Sequence, residues 1–278
     1  MKRFRKIYLE ISNICNLRCS FCPGTKREKR SLTEEEFRIL LPKLRPWTEF
    51  LYFHLMGEPL CHPLLKSFLR IAGEYGFRVI LTTNGTLLTK QKEVLLNSPS
   101  LHKINISLHA FEANDLSVSF EQYLEECCRF GTAVNGKYLV CYRLWNNGGQ
   151  DQLNEQILQT LRTHFTKQWV QERHGTRIGD RVYLEYGDKF DWPDLNAPDN
   201  GERVFCYGLR DQLGILCDGT VVPCCLDHEG DIALGNLFTQ ELSEILDSQR
   251  AKSIYEGFSH RTATEELCRK CGYVNRFR

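Results

Sequence analysis

The chain has 278 residues, of which 42% are hydrophobic and 26% are charged, values that are ordinary for a globular enzyme. Its formal net charge of +1 excludes the strongly basic surface that binding to tRNA or DNA requires. Glu10 and Asn13 interrupt the apolar stretch that follows the basic residues 2–6, so no signal peptide is predicted. No run of about 18 apolar residues is present, and we expect a cytoplasmic protein with no membrane or nucleic-acid partner.

The cysteine count is the one unusual number, since 13 residues are cysteine. A small secreted domain would use them for disulfides, but this chain is large and lacks a signal peptide. In the reducing cytosol, metal binding is the better interpretation for the cysteines that cluster in the sequence.

The first two-thirds of the chain alternate β-rich runs with amphipathic helical stretches. The predicted strands are residues 7–11, 50–55, 78–82, 103–108, 137–145 and 181–186. The predicted helices lie between them: Thr33 caps the first, residues 64–75 form the second, Ser119 begins and Gly131 ends the third, and residues 151–165 form the fourth. Six strands separated by helices indicate βα units with a parallel sheet, which is the α/β fold class.

The character of the chain changes at residues 192–201, which are rich in Pro, Asp and Asn and form a predicted linker. The linker divides the chain into a domain at residues 1–195 and a smaller one at residues 201–278. The smaller domain has six of the cysteines, a predicted hairpin that turns at Asp218-Gly219, and one predicted helix at residues 242–249. Its apolar content is too low for a core of its own, so we expect a metal cluster to hold it together.

Cys15, Cys19 and Cys22 follow the first predicted strand on one loop. Three thiolates at this spacing can hold three corners of a [4Fe–4S] cluster, which normally takes four thiolates. The next cysteine, Cys61, comes only after the second strand, so one iron is left open for a ligand from outside the chain. Zinc is the alternative, but it needs a fourth protein ligand, or a bound water together with histidines.

This motif, with Phe21 before its last cysteine, resembles that of the radical S-adenosylmethionine (SAM) superfamily. The resemblance continues after the next strands with Leu55-Met56-Gly57-Glu58-Pro59, Thr83-Asn84-Gly85 and Ser107. The first of these segments is similar to the family's Gly-Gly-Glu-Pro motif, although Met56 replaces the first glycine. The resemblance implies a partial (β/α)6 barrel with a small C-terminal iron–sulfur domain, and chemistry at the carboxyl ends of the strands.

For the cofactors, the resemblance implies that the open iron chelates SAM. Gly57 and Glu58 would hold the methionine amino group, and Phe21, Asn84 and Ser107 would also contact SAM. It further implies that SAM is cleaved reductively to give a 5′-deoxyadenosyl radical, with an electron donor such as flavodoxin or ferredoxin.

The C-terminal cysteines resemble those of the SPASM domain, or of its shortened form, the twitch domain. Cys206, twelve residues, Gly219, four residues and Cys224 fit the pattern, as does the terminal pair Cys268 and Cys271. The position of the next SPASM cysteine holds Phe277 instead, so the resemblance implies one auxiliary [4Fe–4S] cluster and two clusters in all.

Four thiolates would leave no open iron on this auxiliary cluster, which favours electron transfer or a structural role over substrate binding. Cys225 and Cys217 are open alternatives to Cys224, and a zinc knuckle with the same four cysteines is a further alternative. The other cysteines are expected to be ordinary core thiols: Cys61, Cys127, Cys128 and Cys141.

The candidate substrate contacts are polar residues near the ends of the strands: Glu10, His54, Arg143, Tyr186 and Asp188. Arg143 is the most informative, because it interrupts an apolar strand and a buried arginine needs an anionic partner. That partner is either a phosphate or carboxylate of the substrate or a carboxylate of the chain, Glu10 or Glu185.

We therefore expect hydrogen abstraction from a small, anionic substrate such as a nucleoside or nucleotide, with a lyase slightly favoured over an oxidoreductase. Size and layout resemble the radical queuine lyases, which release queuine from queuosine or its 5′-phosphate. The alternative is a peptide or protein modifier, of the peptide-maturase or sulfatase-activating type. Peptide maturases often carry a leader-recognition domain, for which the residues before the first strand and after Cys271 leave no room.

Overall fold

The computed structural model describes residues 4–173 and 175–277, so Lys2 and Arg3 of the basic start lie outside the described residues. Within the described residues, no helix combines the length and the apolar character that a membrane crossing needs.

The strands in chain order are β1 (Lys6–Leu9), β2 (Phe50–Phe53), β3 (Arg78–Thr83), β4 (Leu101–Ser107), β5 (Leu139–Asn147), β6 (Val170–Glu172), β7 (Gly175–Gly179), β8 (Val182–Asp188), β9 (Gln212–Ile215), β10 (Thr220–Val222) and β11 (Gly235–Asn236). The helices are α1 (Glu34–Leu44), α2 (Leu65–Glu74), α3 (Leu88–Leu96), α4 (Phe120–Val134), α5 (Asn154–His164), α6 (Leu242–Asp247), α7 (Gln249–Ser259) and α8 (Glu266–Arg269). Short 3₁₀ helices lie at Pro59–Cys61, Leu108–Ala110 and Gly272–Phe277.

The described strands form one sheet in the order β11-β10-β9-β1-β2-β3-β4-β5-β8-β7-β6. The central strands, from β9 to β8 in this order, run parallel, whereas the pairs at both edges are antiparallel. The six predicted strands correspond to β1 to β5 and β8, with helices in the connections between them. The prediction of an α/β fold with a partial (β/α)6 barrel is confirmed.

The C-terminal segment contributes strands to the same sheet. Ile7 of β1 pairs with Leu213 of β9, and β9 turns into β10 as the predicted hairpin. The turn needs glycine at position 219, where φ is +86° and a Cβ would lie 2.5 Å from the ring of Phe238. The boundaries at residues 195 and 201 stay a prediction, but the parts on either side of them share one sheet.

Side chains alternate along the strands between an outer face, covered by helices, and an inner face that lines the barrel. Ile7 and Leu9 of β1 pack into the main core with the helices, whereas Tyr8 belongs to a small inner cluster. The same alternation places polar side chains on the inner face of the other strands or directly after them: Tyr52, His54, Asn105, Arg143 and Glu185. The polar inner face leads to the carboxyl edge of the parallel strands, where the loops of the site follow.

Local signals explain where some helices begin and end. Thr33 caps α1 as predicted: its hydroxyl accepts a bond from the Glu36 nitrogen at 3.1 Å, and Glu36 accepts one from the Thr33 nitrogen at 2.9 Å. Gly131 does not end its helix, which was the prediction; α4 continues to Val134. Glycine is needed inside α4 because a Cβ at position 131 would lie 2.1 Å from the Tyr142 hydroxyl.

The sequence did not predict α3, the hairpin of β6 and β7, or α7. It placed a single helix at residues 242–249, where the structure has α6 and the start of α7, separated at Ser248. Ser248 caps α7 by accepting a bond from the Ala251 nitrogen at 3.3 Å, which is the signal for a second helix.

Candidate active site

The loop after β1 carries Cys15, Cys19 and Cys22 at the carboxyl edge of the sheet. All three are free thiols that are at least partly exposed. Cys15 Sγ accepts a hydrogen bond from the Leu17 nitrogen at 3.4 Å, and Cys19 Sγ accepts one from Asn114 Nδ2 at 3.1 Å. N–H groups aimed at sulfur stabilise thiolates that are bound to iron, so this loop fits three corners of an iron–sulfur cluster.

The loop after β2 approaches the cysteine loop closely at Gly57. A Cβ at this position would lie 2.2 Å from the Ser12 carbonyl oxygen, and φ is +77°, so the position needs glycine. The neighbouring Glu58 is buried, and its carboxylate accepts bonds from the main-chain nitrogens of Leu60 at 3.0 Å and Asn84 at 2.8 Å. Burial raises the pKa of Glu58 to about 7, against the lowering effect of these bonds. Glu58 thus joins the loop after β2 to the loop after β3.

Asn84, in the loop after β3, also contacts the cysteine loop. Its Nδ2 donates to Asn16 Oδ1 at 3.0 Å, and its carbonyl accepts a bond from the Tyr123 hydroxyl at 2.8 Å. Its own Oδ1 accepts bonds from the nitrogen of Thr86 at 3.0 Å and from the hydroxyl of Thr86 at 2.7 Å. Sequence reasoning missed Asn16, Tyr123 and Thr86. The position of Asn16 inside the cysteine motif is the one signal that could have identified it.

Ser107 ends β4, and the 3₁₀ helix that follows carries His109. The His109 ring lies 5.1 Å from the Phe21 ring of the cysteine loop. Its Nδ1 lies 3.0 Å from the Arg143 carbonyl oxygen and 3.4 Å from the Trp145 main-chain nitrogen. Burial lowers the pKa of His109, so the ring is neutral at pH 7. Sequence reasoning also missed His109, which stands two residues after the predicted Ser107.

Arg143, Lys103 and Glu185 form an ion-paired group on the inner face. Glu185 Oε1 lies 2.9 Å from Lys103 Nζ, and Glu185 Oε2 lies 3.2 Å from Arg143 Nε. Burial opposes ionisation of Glu185, but the two cations hold its pKa below the usual value. Of the two partners that the sequence offered within the chain for Arg143, the structure selects Glu185.

His54 lies beside this group, with its ring 6.1 Å from the ring of Tyr8. Burial and the charge of Arg143 lower the pKa of His54 to about 4, so its side chain is neutral at pH 7. His54 therefore adds no charge to the inner face. Lys103 and Arg143 carry two positive charges, and Glu185 balances one of them.

The substrate contact through Glu10 stays a prediction; the side chain is buried and its carboxylate is bonded within the chain. Arg27 donates to its two oxygens at 2.6 and 2.9 Å. The main-chain nitrogens of Met56 and Cys217 donate to the same carboxylate at 3.2 and 3.0 Å. The carboxylate thus joins the cysteine loop, the loop after β2 and the C-terminal segment, and has little capacity left for a ligand.

The substrate contact through Tyr186 stays a prediction, and the alternation of β8 places Glu185, not Tyr186, on the inner face. Tyr186 is on the outer face with Leu184 and is 55% exposed. Asp188 ends β8 at the barrel mouth, where its carboxylate accepts a bond from Asn147 Nδ2 at 2.6 Å.

A second group of cysteines lines an apolar cavity in the C-terminal segment: Cys206, Cys224, Cys268 and Cys271. Cys225 has a different environment, since its thiol is hydrogen-bonded with the Tyr8 hydroxyl of the inner cluster. Cys217 is buried against Glu10 and Arg27 instead. Cys127, Cys128 and Cys141 are buried core thiols, as predicted, and Cys61 is partly exposed.

An iron–sulfur cluster and a zinc ion differ in how far apart their cysteine ligands stand. Among residues 4–173 and 175–277, no three or more His, Cys, Asp or Glu side chains are close enough together to hold a single metal ion. A cubane cluster binds each cysteine to a different iron, so its ligands stand further apart than the four ligands of a zinc ion. The four cysteines share one apolar cavity, and its lining is compatible with a buried cluster.

Two family models match the chain. The model of the SPASM iron–sulfur cluster-binding domain matches residues 206–272, which include the four cavity cysteines. The model of the radical SAM superfamily matches residues 9–134, which include the cysteine loop and the loops after β2, β3 and β4. The chain belongs to the radical SAM superfamily. The cofactors of this radical SAM protein are SAM and [4Fe–4S] clusters.

A relative of this radical SAM protein matches it along its whole length. The SAM-dependent 2-deoxy-scyllo-inosamine dehydrogenase of Niallia circulans is 28% identical over 286 aligned positions, which cover 99% of this chain and 95% of the relative. The match to the tungsten-containing aldehyde ferredoxin oxidoreductase cofactor-modifying protein of Pyrococcus furiosus is 35% identical over 89 residues. It covers 31% of this chain and only 25% of that relative.

Solved structures with the same fold include a crystal structure of BtrN in complex with AdoMet and 2-DOIA. The TM-score is 0.62 at 20% identity, and the alignment covers 98% of this chain and 94% of BtrN. The structure of Streptococcus suis SuiB bound to precursor peptide SuiA has a TM-score of 0.65 at 15% identity and covers 99% and 71% of the two chains. Identities this low show a shared fold alone, a partial barrel of the radical SAM type followed by a C-terminal domain.

Proposed function

We propose that this radical SAM enzyme abstracts a hydrogen atom from a carbon of a small anionic molecule and oxidises that molecule by two electrons. Loss of one further electron, for which an iron–sulfur cluster would be the acceptor, and of one proton from the substrate radical would complete the oxidation. The observation that supports an anionic substrate is the excess positive charge of the inner face, where Lys103 and Arg143 share Glu185. The whole-length match to a 2-deoxy-scyllo-inosamine dehydrogenase supports a small substrate. The same match favours oxidation over the elimination that the sequence slightly favoured.

For the cofactors, we propose ligands residue by residue. Cys15, Cys19 and Cys22 hold the radical cluster, and the cavity cysteines hold the auxiliary cluster: Cys206, Cys224, Cys268 and Cys271. The residues that contact SAM are Phe21, Gly57, Glu58, Asn84 and Ser107. When bound, the radical cluster and SAM supply a hydrogen-abstracting radical, which no side chain of the protein can supply.

The chain itself contributes a site that is ordered before ligands bind. Glu58 fixes the main chain of Asn84, and Asn84 is bonded to the cysteine loop, so the loops around SAM hold one another. Loops fixed in this way lower the entropic cost of orienting SAM and substrate. His109 and Phe21 add an aromatic wall beside Ser107 that excludes water from the reacting atoms.

The charge of the inner face selects the substrate class. The Arg143 side chain is 17% exposed and the Lys103 side chain 25%, so neither cation is freely solvated. A partly buried cation without a counter-ion is costly, and a phosphate or carboxylate of the substrate would balance it through charge-assisted hydrogen bonds. A neutral substrate would leave this charge unbalanced.

Two other substrate classes are included in the experiment that tests this proposal. Release of queuine from its nucleoside or nucleotide stays a prediction, since neither relative described above is a queuine lyase. A peptide substrate is the second candidate, because SuiB, a protein of the same fold, has a structure with its precursor peptide bound.

The decisive experiment follows the abstracted hydrogen. Reconstituted, dithionite-reduced protein is incubated with SAM and with deuterated nucleotides, sugar phosphates, uncharged nucleosides or peptides, and deuterium in 5′-deoxyadenosine is measured by mass spectrometry. We expect deuterium to be transferred from an anionic small molecule. With the unlabelled substrate, the oxidised product should be two mass units lighter than the substrate.

The control variants separate chemistry from folding. Replacement of Cys15, Cys19 and Cys22 by Ala should abolish 5′-deoxyadenosine formation, whereas Cys128→Ala, a change at a buried core thiol, should retain it. Label transferred only from peptides would contradict the substrate class. Formation of S-adenosylhomocysteine instead of 5′-deoxyadenosine would contradict the reaction itself.

A further inference from the structure

Trp145, near the end of β5, is flanked by two guanidinium groups. The Cζ of Arg143 lies 4.5 Å from the centroid of the Trp145 ring, and the Cζ of Arg276 lies 5.3 Å from it. Arg276 comes from the other end of the chain, in the 3₁₀ helix Gly272–Phe277 that follows the last cavity cysteine. The C-terminal segment therefore places a cation against Trp145, near the carboxyl end of β5.

The two guanidinium groups differ in their partners. Arg143 has a carboxylate partner in Glu185, whereas no described carboxylate lies within 4 Å of the Arg276 side chain. The Arg276 guanidinium donates to the main-chain oxygen of Asp188 and is also hydrogen-bonded with the Tyr273 side chain. A guanidinium has five N–H donors, so most donors of this half-buried Arg276 are not used by protein acceptors.

Aromatic rings orient the Arg276 side chain. The guanidinium lies 4.8 Å from the Tyr273 ring and 5.5 Å from the Phe190 ring, in addition to its contact with Trp145. Stacking on ring faces holds the plane of a guanidinium but leaves its edge N–H groups free for a planar anion. A second donor is close by, since Trp145 Nε1 is buried and has no partner among the described atoms.

Arg143, Trp145 and Arg276 lie at the same end of the barrel as the cysteine loop. His109, which contacts Phe21 of that loop, is bonded to the Arg143 carbonyl. The loop after β5 contacts the cysteine loop directly, through a bond of 2.8 Å from the Ser20 hydroxyl to Gln150 Oε1. A ligand held by Arg276 would thus face the space where the proposed chemistry takes place.

We infer that Arg276 binds the acidic group of the substrate, with Trp145 Nε1 as a second donor, and so determines specificity for a phosphate or carboxylate. The inference rests on the proposed function for the identity of the bound molecule. It adds a residue of the C-terminal segment to Arg143, whose charge Glu185 balances in part, as a partner of the anion. The auxiliary-cluster segment then has a second role, which is to complete the substrate site.

The test measures binding of simple anions to the holoenzyme with both clusters and SAM present. Inorganic pyrophosphate and malonate serve as the phosphate and carboxylate probes, and each is titrated by isothermal calorimetry. Wild-type protein should bind one of the two at a single site, which identifies the acidic group. Arg276→Gln should weaken that binding about tenfold, equivalent to about 1.4 kcal/mol, and Arg276→Lys should recover only part of it.

The matched control is Arg162, whose guanidinium lies 4.3 Å from the Trp169 ring away from the barrel mouth. Arg162→Gln removes a similar cation–π contact and should leave anion affinity unchanged. Trp145→Phe keeps a ring but removes Nε1, and it should weaken binding less than Arg276→Gln does. This variant also gives an independent result if Arg276→Gln does not fold.

Three outcomes would overturn the inference. They are no binding of either anion at roughly 50 mM, equal affinity in Arg276→Gln and Arg162→Gln, or a changed auxiliary-cluster EPR spectrum in Arg276→Gln with unchanged anion affinity. The last result would mean that Arg276 serves the cluster instead. Cleavage of SAM without substrate is measured in parallel. If wild-type protein does not cleave SAM, the proposed function is contradicted, whereas the anion-binding result is judged separately.

Discussion

Cys224 and Cys225 are adjacent in the sequence but have different neighbours in the structure. Cys224 lines the apolar cavity with three other cysteines, whereas the Cys225 thiol is hydrogen-bonded with Tyr8 of the inner cluster. Burial raises the pKa of Cys225 to about 11, so without a metal it is a neutral thiol at pH 7. The two positions therefore have different expected roles.

We predict that iron content distinguishes them. Reconstituted wild-type protein should hold about eight irons, and Cys224→Ala should hold about four, because the auxiliary cluster loses a ligand. Cys225→Ala is the matched control and should stay near eight. Iron and sulfide analysis with EPR of the reduced protein provides the measurement, and loss of four irons in Cys225→Ala but not in Cys224→Ala would reverse the assignment.

Residue types and spacing predicted the cysteine loop and the loops around it, because short motifs place their ligands on one loop. They did not predict the surroundings of Glu10 or the face of β8 on which Tyr186 lies. The environment of Glu10 depends on Arg27 and on the nitrogen of Cys217, which is far along the chain. The face of Tyr186 depends on the register of β8 against β5, and a shift of one residue reverses it.

At the scale of the elements, α4 packs on β5 through a contact that leaves no room for a side chain at position 131. The Tyr142 hydroxyl donates to the Cys127 carbonyl inside α4 at 2.9 Å, and this approach needs glycine one turn later. The glycine that indicated a helix end in the sequence is therefore a packing residue. Glycine can mark either the end of a helix or a site of close packing, and the sequence alone does not distinguish the two at this position.

Gly131→Ala should destabilise the protein by about 1 to 3 kcal/mol, because the new methyl group overlaps the Tyr142 hydroxyl. Gly73→Ala in α2 is the control, since its Cβ would meet only the Ser100 Cβ at 3.4 Å. That change should be neutral or stabilising by about 0.5 to 1 kcal/mol. Chemical denaturation measures both, and equal stability of the two variants would show that α4 does not pack on β5 as described.

The elements that the sequence missed have weak local patterns. Helix α3 buries only Leu88 and Leu95, so its apolar stripe is narrow. Strand β6 is exposed along its length and forms only by pairing with β7 at the sheet edge. Tertiary contacts, not local preference, determine both elements.

At the scale of the whole molecule, Glu10 joins three segments that the proposed chemistry needs together. It accepts bonds from Arg27 beyond the cysteine loop, from the nitrogen of Met56 next to the SAM-binding segment, and from the nitrogen of Cys217 before the auxiliary cysteines. The Arg27 Nε also donates to the His228 carbonyl at 2.8 Å. One buried ion pair thus fixes the C-terminal segment against the barrel.

Glu10→Gln should therefore affect stability and SAM binding together. Breaking a buried ion pair of this kind costs about 3 to 5 kcal/mol, because it leaves the arginine without a counter-ion. The control is Glu172→Gln, which removes a pair with Arg177 of 2.7 Å at the surface and should cost at most about 1 kcal/mol.

Denaturation and SAM titration of the two variants provide the measurement. SAM affinity should fall in Glu10→Gln and stay unchanged in Glu172→Gln. A Glu10→Gln variant as stable as the surface control would mean that the segments are held together by other contacts.

The pairing of β1 with β9 has a consequence for how the protein is made. Lys6 lies opposite Gln212, so β1 leaves the ribosome about 200 residues before the strand that completes its pairing. Contacts between such distant parts of a chain slow folding, and an edge that waits unpaired can associate with other chains. A nascent chain halted in the linker has a barrel with an open edge at β1, and the arrival of β9 closes it.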